Sequence, residues 1–195
     1  VVEALTSIES RYDGVDAVVH LAAIPAPGIT ANAATFANNA VSTYNVFAAA
    51  RHAGIKNVVW ASSETVLGLP FDTPPPYAPV DEDYPVRPES TYSLVKDLEE
   101  EMARQFNRWS GIPIVGLRFS NIMVRDDSGW FPAFQDDPRL RRLNLWAYVD
   151  RTHVPARLLL ALQADLSRAD RLIHPPPHHL LPRPARQPTA ADSAP

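Results

Sequence analysis

The sequence predicts an α/β fold with a parallel sheet, and two observations indicate it. Three short runs, residues 16–23, 57–63 and 112–119, are almost continuously apolar, which is typical of strands buried on both faces. The two longer segments between them, residues 32–52 and 91–110, carry apolar residues at helical spacing. The order strand, helix, strand, helix, strand requires right-handed crossovers, so helices are expected on both faces of the sheet.

The composition excludes several classes of function. A length of 195 residues is enough for one domain with a substantial core, and a net charge of -4 provides no attraction for nucleic acid or an anionic membrane surface. The absence of cysteine excludes disulfide bonds and thiolate chemistry. No apolar run has the roughly 20 residues that a membrane-spanning helix needs. We therefore expect no nucleic-acid or membrane partner and a cytoplasmic location.

The first elements follow from apolar spacing and from the residues that interrupt it. A helical pattern over residues 1–11 ends at an Asp-Gly pair, and the strand that follows closes in Ala22 and Ala23. Those small side chains let a flat ligand approach the backbone. The next helix is expected to end at Gly54 and to bury one broad face. That face comprises Phe36, Ala40, Thr43, Val46, Phe47 and Ala50.

A proline-rich segment, residues 68–88, predicts a long loop before the second long helix, and loops of this length are usually functional. Ser90 or Thr91 can cap that helix, and Gly111 ends it. The helix is expected to expose the three glutamates at residues 99–101 and to bury an apolar stripe. The stripe comprises Leu94, Leu98, Met102, Phe106 and Trp109.

The pattern weakens towards the end of the chain. Residues 126–143 predict a loop, residues 146–149 a short strand, and residues 154–166 a helix. From residue 174 onwards the chain is rich in proline without apolar periodicity, which predicts a disordered tail. This tail holds three histidines but no partnering acid or cysteine, so no metal site is expected. The three are His174, His178 and His179.

Tyr92 and Lys96 suggest a reactive site. Four residues apart on a helix, they share a face, so the phenol and the ammonium can reach the same point. A free phenol ionises near pH 10, and a neighbouring ammonium favours the phenolate. Ser62 or Ser63, at a strand end, could hold a substrate oxygen while Tyr92 moves its proton. This arrangement suits alcohol oxidation or carbonyl reduction, but spacing alone leaves open a Tyr at a helix start with a solvated Lys.

Five short motifs occur in order along residues 1–150. They are His20-Leu-Ala-Ala23, Asn39 in Asn-Asn-Ala-Val-Ser-Thr, Ser62-Ser-Glu-Thr-Val-Leu-Gly68, Tyr92 with Lys96, and Leu117-Arg-Phe-Ser-Asn121. Together they resemble the extended short-chain dehydrogenase/reductase family, the NAD-dependent sugar epimerases and dehydratases. The resemblance implies a Rossmann-like, doubly wound parallel sheet.

The resemblance also implies roles for individual residues. Tyr92 matches the catalytic acid/base, and Lys96 matches the residue that binds the nicotinamide ribose and lowers the pKa of the tyrosine. Ser63 matches the residue that holds the substrate, although an exchange with Ser62 stays open. NAD or NADP is the implied cofactor. The residues implied to bind it are Leu21, Ala22, Ala23, Ile24, Pro25, Asn39, Tyr92, Lys96, Ser120 and Asn121.

Two departures from the family pattern change what is expected. The family begins with a strand and a glycine-rich turn that holds the pyrophosphate, and this sequence has neither, so we expect a partial sheet that lacks its first strands. After Asp150 the pattern drifts. We therefore expect a cofactor domain over residues 1–150, a degraded start of a substrate lobe over residues 151–173, and a disordered tail over residues 174–195.

The function expected from this resemblance is that of an NAD(P)-dependent oxidoreductase or epimerase/dehydratase. Its substrate would be a sugar-like or other polyol lying under the loop of residues 68–88, and a homodimer is left open. The acidic run at residues 81–83 is expected to be solvated. The alternative is a non-catalytic remnant or binding subunit without dinucleotide binding, since the phosphate-binding turn is absent from the sequence.

Overall fold

The computed structural model describes residues 1–6, 14–72, 74–81, 83–124, 137–145 and 147–164. Three strands form a parallel sheet in the order β1, β2, β3, with Val58 of β2 opposite both Val18 of β1 and Ile114 of β3. The predicted α/β fold with a parallel sheet is confirmed. The strands are β1 (Ala17–His20), β2 (Asn57–Ser63) and β3 (Ile114–Phe119).

Helices connect and flank these strands. The α-helices are α1 (Val2–Thr6), α2 (Asn32–His52), α3 (Thr91–Ser110) and α4 (Val154–Gln163). Short 3-10 helices cover Glu64–Leu67, Pro138–Asn144 and Arg151–His153. None of the helices in the described ranges is long and apolar enough to cross a membrane.

Several predicted bounds differ from those in the structure. The first strand ends at His20 rather than at residue 23. Beyond it, Asn39 of α2 holds the chain through the amide and the carbonyl of Ile24. Part of the predicted loop of residues 126–143 is the 3-10 helix Pro138–Asn144, in which Asp137 accepts a hydrogen bond from the Arg139 amide at 3.1 Å. Residues 7–13 and 125–136, on which other parts of these predictions fall, lie outside the described residues.

A second, two-stranded sheet follows β3. Its strands, β4 (Ile122–Met123) and β5 (Val149–Asp150), pair in parallel, and the Val149 amide donates to the Asn121 carbonyl at 2.8 Å. The predicted strand at residues 146–149 is thus present only at its last residue, while residue 146 lies outside the described part of the chain. The predicted tail, with its three histidines, also lies outside it.

The core lies on both faces of the three-stranded sheet because successive residues of β2 point in opposite directions. On one face Trp60 and Phe106 each meet Phe47 edge to face, with ring centroids 6.1 and 5.7 Å apart. On the other face Val59 packs with Ala161 of α4. A third cluster holds the proline-rich loop against the domain. It comprises Val66, Leu67, Leu69, Phe71 and Tyr84.

The apolar stripe predicted for α3 is wrong in most of its members. Leu94, Leu98 and Trp109 are 42%, 43% and 51% exposed, whereas Phe106 is buried. Glu99 and Glu100, predicted to be solvated, are instead wholly buried. The helix is rotated towards its charged residues because each buried glutamate has a cationic partner. The face that α3 buries comprises Tyr92, Ser93, Val95, Lys96, Glu99, Glu100, Ala103 and Phe106.

The face predicted for α2 is right only in part. Thr43, Phe47 and Ala50 are buried as predicted, but Phe36 is exposed. The buried face extends instead to two polar residues, Thr35 and Asn39, whose side chains form hydrogen bonds.

Candidate active site

The ends of three elements bring the candidate residues to one edge of the sheet. Strand β2 ends at Ser63, strand β3 ends directly before Ser120, and helix α3 begins at Thr91. In open α/β sheets the carboxyl ends of parallel strands are where ligands bind. The candidate residues therefore lie at the edge of the sheet where open α/β folds bind ligands.

A reciprocal cap fixes the first turn of α3, in which Tyr92 lies. Ser90 Oγ accepts from the Ser93 amide at 3.1 Å, and Ser93 Oγ accepts from the Ser90 amide at 2.9 Å. A cap of this kind stabilises a helix start by about 1 kcal/mol. It also fixes the direction in which the Tyr92 side chain leaves the helix.

The Tyr92 hydroxyl lies close to the side chain of Ser63, whose hydroxyl lowers the pKa of Tyr92. Ser63 Oγ accepts from the amide and the hydroxyl of Thr65, at 3.3 and 3.0 Å, so its own proton remains to be donated. Ser62 is engaged elsewhere, because its hydroxyl donates to Glu100 Oε1 at 2.6 Å. Of the two serines, Ser63 is the one that the structure brings to Tyr92.

Lys96 lies buried beside Tyr92. Its Nζ donates to the Ala61 carbonyl and to Glu99 Oε2, both at 2.9 Å. The ammonium also lies 5.4 Å from the ring centroid of Trp60 and 5.9 Å from that of Tyr92. The structure thus brings Ser63, Tyr92 and Lys96 together, as the sequence predicts.

The ionisation of Tyr92 differs from the expectation. Burial raises the pKa of Tyr92 above its ordinary value, the Ser63 hydroxyl lowers it, and the charge of Glu99 raises it further. Burial is the main cause of this shift, and Lys96 is not among its causes. The Lys96 ammonium is paired with Glu99 at 2.9 Å, and its lowering effect on the pKa of Tyr92 stays a prediction.

His20 and Thr43 extend this arrangement towards β1 and α2. Thr43 Oγ1 donates to Glu99 Oε1 at 3.0 Å and lies 3.1 Å from His20 Nε2. Burial first, and the charge of Lys96 second, lower the pKa of His20 from 6.5 to about 4, so this imidazole is neutral at pH 7.

Sequence reasoning missed Glu99, but a signal was available. It follows Tyr92 by seven residues and Lys96 by three, which places all three on one helix face.

A second buried ion pair ties α3 to the strand ends. Arg118 of β3 donates from Nε and Nη2 to the two carboxylate oxygens of Glu100, at 2.7 and 2.6 Å. Glu100 also accepts from Ser62 of β2. The bidentate geometry fixes the helix relative to both strands. The sequence did not predict that either charged residue would form a buried ion pair.

Glu64 is a further carboxyl group at this edge, directly after Ser63. Burial raises the pKa of Glu64 to about 7, against the lowering effect of the Ser120 hydroxyl, the Arg141 guanidinium and the Asn121 amide. The Ser120 hydroxyl is buried and has no well-formed hydrogen bond with the described residues. Sequence reasoning did not select Glu64.

The segment after β1 is shaped by Asn39 of α2. The Asn39 side chain accepts from the Ile24 amide at 2.8 Å and donates to the Ile24 carbonyl at 3.0 Å. Asn39 therefore positions the strand end, and its direct contact with a cofactor stays a prediction. Leu21, Ala22 and Pro25 are exposed along the same segment.

Comparison with known proteins identifies the family to which the chain belongs. A profile of the NAD dependent epimerase/dehydratase family matches residues 3–133. UDP-glucose 4-epimerase of Bacillus subtilis is 28% identical over 158 residues, which cover 78% of this chain and 43% of that protein. Uronate dehydrogenase of Pseudomonas syringae pv. tomato is 26% identical over 154 residues, which cover 78% of this chain and 50% of that protein.

A solved structure is also similar to this chain. The Bordetella bronchiseptica enzyme WbmG, in complex with NAD, has a TM-score of 0.59 and 25% identity over 82% of this chain and 50% of that one. The chain thus spans half the length, or less, of these relatives. The profile covers more than half of the chain, and the resemblance drawn from the five motifs is confirmed. The chain belongs to the NAD dependent epimerase/dehydratase family.

Proposed function

We propose that this chain carries the proton-transfer site of an NAD(P)-dependent oxidoreductase or epimerase/dehydratase that acts on a sugar-like substrate. The observation that carries the proposal is the position of the Tyr92 hydroxyl close to Ser63 and beside Lys96, at the carboxyl edge of a parallel sheet. The names of the relatives, UDP-glucose 4-epimerase and uronate dehydrogenase, support a sugar or sugar acid as the substrate class.

In the proposed mechanism Ser63 binds the reacting oxygen of the substrate and Tyr92 moves its proton. Ser63 suits this role because Thr65 holds its oxygen from two sides and leaves its proton free to be donated. Because burial raises the pKa of Tyr92, the phenol is protonated at pH 7 and is set up first as an acid towards a carbonyl oxygen. The bound NAD(P) supplies or accepts the hydride.

The residues present fit a nicotinamide cofactor on the ribose side. The buried Ser120 hydroxyl lacks a well-formed partner among the described residues, as expected of a group that a ligand would satisfy. Lys96 supplies an ammonium, and the small residues Ala22 and Ala23 let a planar ring approach the strand end. Further contacts would come from Leu21, Ile24, Pro25 and Asn121, while Asn39 positions the segment.

The experiment is a fluorescence titration of the purified chain with NADH and with NADPH. We expect weak or no saturable binding, because the glycine-rich turn that holds the pyrophosphate is not in the sequence. Fusion of a family-like N-terminal segment should restore binding. In that fusion protein Tyr92→Phe should lower turnover of a UDP-sugar or uronate by at least about 100-fold and leave the dissociation constant for NADH unchanged.

Two outcomes would contradict the proposal. One is a fusion protein that binds NADH and turns over a sugar substrate equally well with Phe at position 92. The other is a fusion protein that binds no dinucleotide, which would favour a binding subunit without turnover. The Lys96–Glu99 ion pair is the observation that favours this second candidate, since it already engages the ammonium.

The proposed function implies a domain organisation, a location and an association for the chain. Residues 1–150 would form the cofactor domain and residues 151–173 the start of a substrate lobe, in a cytoplasmic protein. The chain would associate as a homodimer through an exposed apolar face of α2 and α3, here called the α2/α3 face. The α2/α3 face comprises Val41, Tyr44, Leu94, Leu98 and Trp109.

A further inference from the structure

A buried chain of polar contacts lies behind Tyr92 and joins β1, α2 and α3. His20 Nε2 lies 3.1 Å from Thr43 Oγ1, Thr43 donates to Glu99 Oε1 at 3.0 Å, and Glu99 Oε2 accepts from Lys96 Nζ at 2.9 Å. None of these four residues is more than 7% exposed. We call these four residues the Glu99 network.

Glu99 is held on both of its carboxylate oxygens. Thr43 occupies one and Lys96 the other, so the carboxylate cannot turn away from the ammonium without losing a buried hydrogen bond. The Lys96 ammonium is fixed in the same way, between Glu99 and the Ala61 carbonyl. Burial raises the pKa of Glu99, whereas the charge and hydrogen bond of Lys96 and the hydrogen bond of Thr43 lower it. A buried charge without a partner is costly, so the pairing with Lys96 favours the carboxylate form of Glu99.

We propose that Glu99 is a positioning residue that fixes the Lys96 ammonium and cancels the charge that would otherwise favour the ionised form of Tyr92. The proposal rests on the proposed function, in which Tyr92 carries the proton. Its geometric basis is that the ammonium lies 5.9 Å from the Tyr92 ring but only 2.9 Å from a carboxylate oxygen. Tyr92 therefore faces an ion pair rather than a lone cation.

The direction of the Tyr92 pKa agrees with this proposal. Burial is the main cause of its raised pKa, and the charge of Glu99 acts in the same direction. Removal of the carboxylate charge would leave the ammonium unopposed beside the phenol. The ammonium lies 5.9 Å from the centroid of the Tyr92 ring. At the effective dielectric of a protein interior, a charge at about this distance moves a pKa by about one unit or more.

Besides Lys96 and Glu99, the titratable groups in and around the Glu99 network are a neutral histidine and a second ion pair. His20, from β1, is neutral above pH 6, because its pKa is lowered to about 4. Glu100, on α3, is bound by Arg118 of β3 through two hydrogen bonds. The neighbouring elements α2 and β2 contribute the uncharged Thr43 hydroxyl and Ala61 carbonyl.

The test follows the ionisation of Tyr92 directly and needs neither cofactor nor turnover. The full chain, labelled with 13C at the Cζ of tyrosine, is titrated by NMR between pH 6 and 12, and the Tyr92 signal is assigned by its loss in Tyr92→Phe. In Glu99→Gln we expect the Tyr92 midpoint to fall by about one pH unit or more. The matched control is Glu101→Gln, which removes the same charge from an exposed position on the same helix.

A double variant keeps the test decisive if Glu99→Gln does not fold. Lys96→Met combined with Glu99→Leu replaces the buried pair by apolar side chains, which folded proteins often tolerate. If the pair acts as proposed, the Tyr92 midpoint in this double variant stays within about 0.3 pH units of the wild type, because two opposed charges leave together. Far-UV circular dichroism verifies that each variant is folded.

Two results would overturn the proposal. The first is a Tyr92 midpoint in Glu99→Gln that matches that of Glu101→Gln. The second is a double variant whose Tyr92 midpoint rises by about one unit, since that would mean that the Lys96 charge had acted without opposition. Failure of the fusion protein to bind NADH would overturn the proposed function and leave these midpoints unaffected.

Discussion

At the scale of single residues, Glu64 shows how burial beside the candidate site changes a carboxyl group. Its pKa is raised from 4.5 to about 7, mainly by burial. A group whose pKa is higher in the folded state contributes stability below its unfolded pKa, and this contribution is lost as the pH rises through the folded value. For Glu64 the loss therefore falls between about pH 4.5 and pH 7.

We predict that Glu64→Gln removes this pH dependence. Between pH 5 and pH 8 the free energy of unfolding of the wild type should fall, relative to that of the variant, by about 2–3 kcal/mol, since a shift of one pKa unit corresponds to about 1.4 kcal/mol. Urea unfolding at a series of pH values measures it. Glu89→Gln, at an exposed position, is the control, and parallel curves for wild type and Glu64→Gln would contradict the prediction.

The residues of the site could be predicted only where their chemistry is marked locally. Tyr92 and Lys96 share a helix face by spacing alone, and Ser63 ends a strand that the apolar run defines. Glu99 and Thr43 could not be selected in this way. They are 56 residues apart in sequence, and the hydrogen bond that makes a buried glutamate tolerable forms only when α2 packs against α3.

At the scale of elements, the bounds of α2, β2 and α3 follow from the sequence, because glycines and capping residues mark where each one stops. Gly111, after α3, has φ 73, in the left-handed region that glycine adopts without strain. What could not be predicted is which face of α3 is buried. A periodic set of leucines predicted one face. The face that is buried instead carries Lys96 and Glu100, whose hydrogen-bond partners lie on β2 and β3.

We predict that the Glu100–Arg118 pair contributes much of the free energy that holds α3 with this face buried. Arg118→Met should lower the free energy of unfolding by about 3–5 kcal/mol, because it leaves a buried carboxylate without its cation. Arg104→Met breaks an exposed pair with Glu101 on the same helix and should cost no more than about 1 kcal/mol. Urea unfolding measures both.

A third variant distinguishes the contribution of the ion pair to stability from that of side-chain packing. Glu100→Leu combined with Arg118→Met removes both charges and should be more stable than Arg118→Met alone, because no unpaired charge stays buried. If Arg118→Met is no more destabilising than Arg104→Met, the pair does not hold α3 in its observed rotation.

At the scale of the whole molecule, two apolar surfaces in the described part of the chain are candidates for association. Strand β1 has β2 as its one strand neighbour there, and its residue Val19 is 40% exposed. The second surface is the α2/α3 face, where Tyr44 and Trp109 each lie against the ring of Phe106. Open sheet edges and contiguous apolar patches both promote association.

We predict that the α2/α3 face mediates association of two copies of the chain. Leu98 lies on this face, so Leu98→Glu would place a carboxylate in the contact and should shift the sedimentation coefficient at micromolar concentration from dimer to monomer. The control is Leu160→Glu, at a still more exposed leucine of α4, which should leave the dimer intact. A dimer that persists in Leu98→Glu but dissociates in Leu160→Glu would assign the contact to α4. A dimer unaffected by both changes would direct attention to the open edge of β1, where pairing through backbone hydrogen bonds does not depend on either leucine.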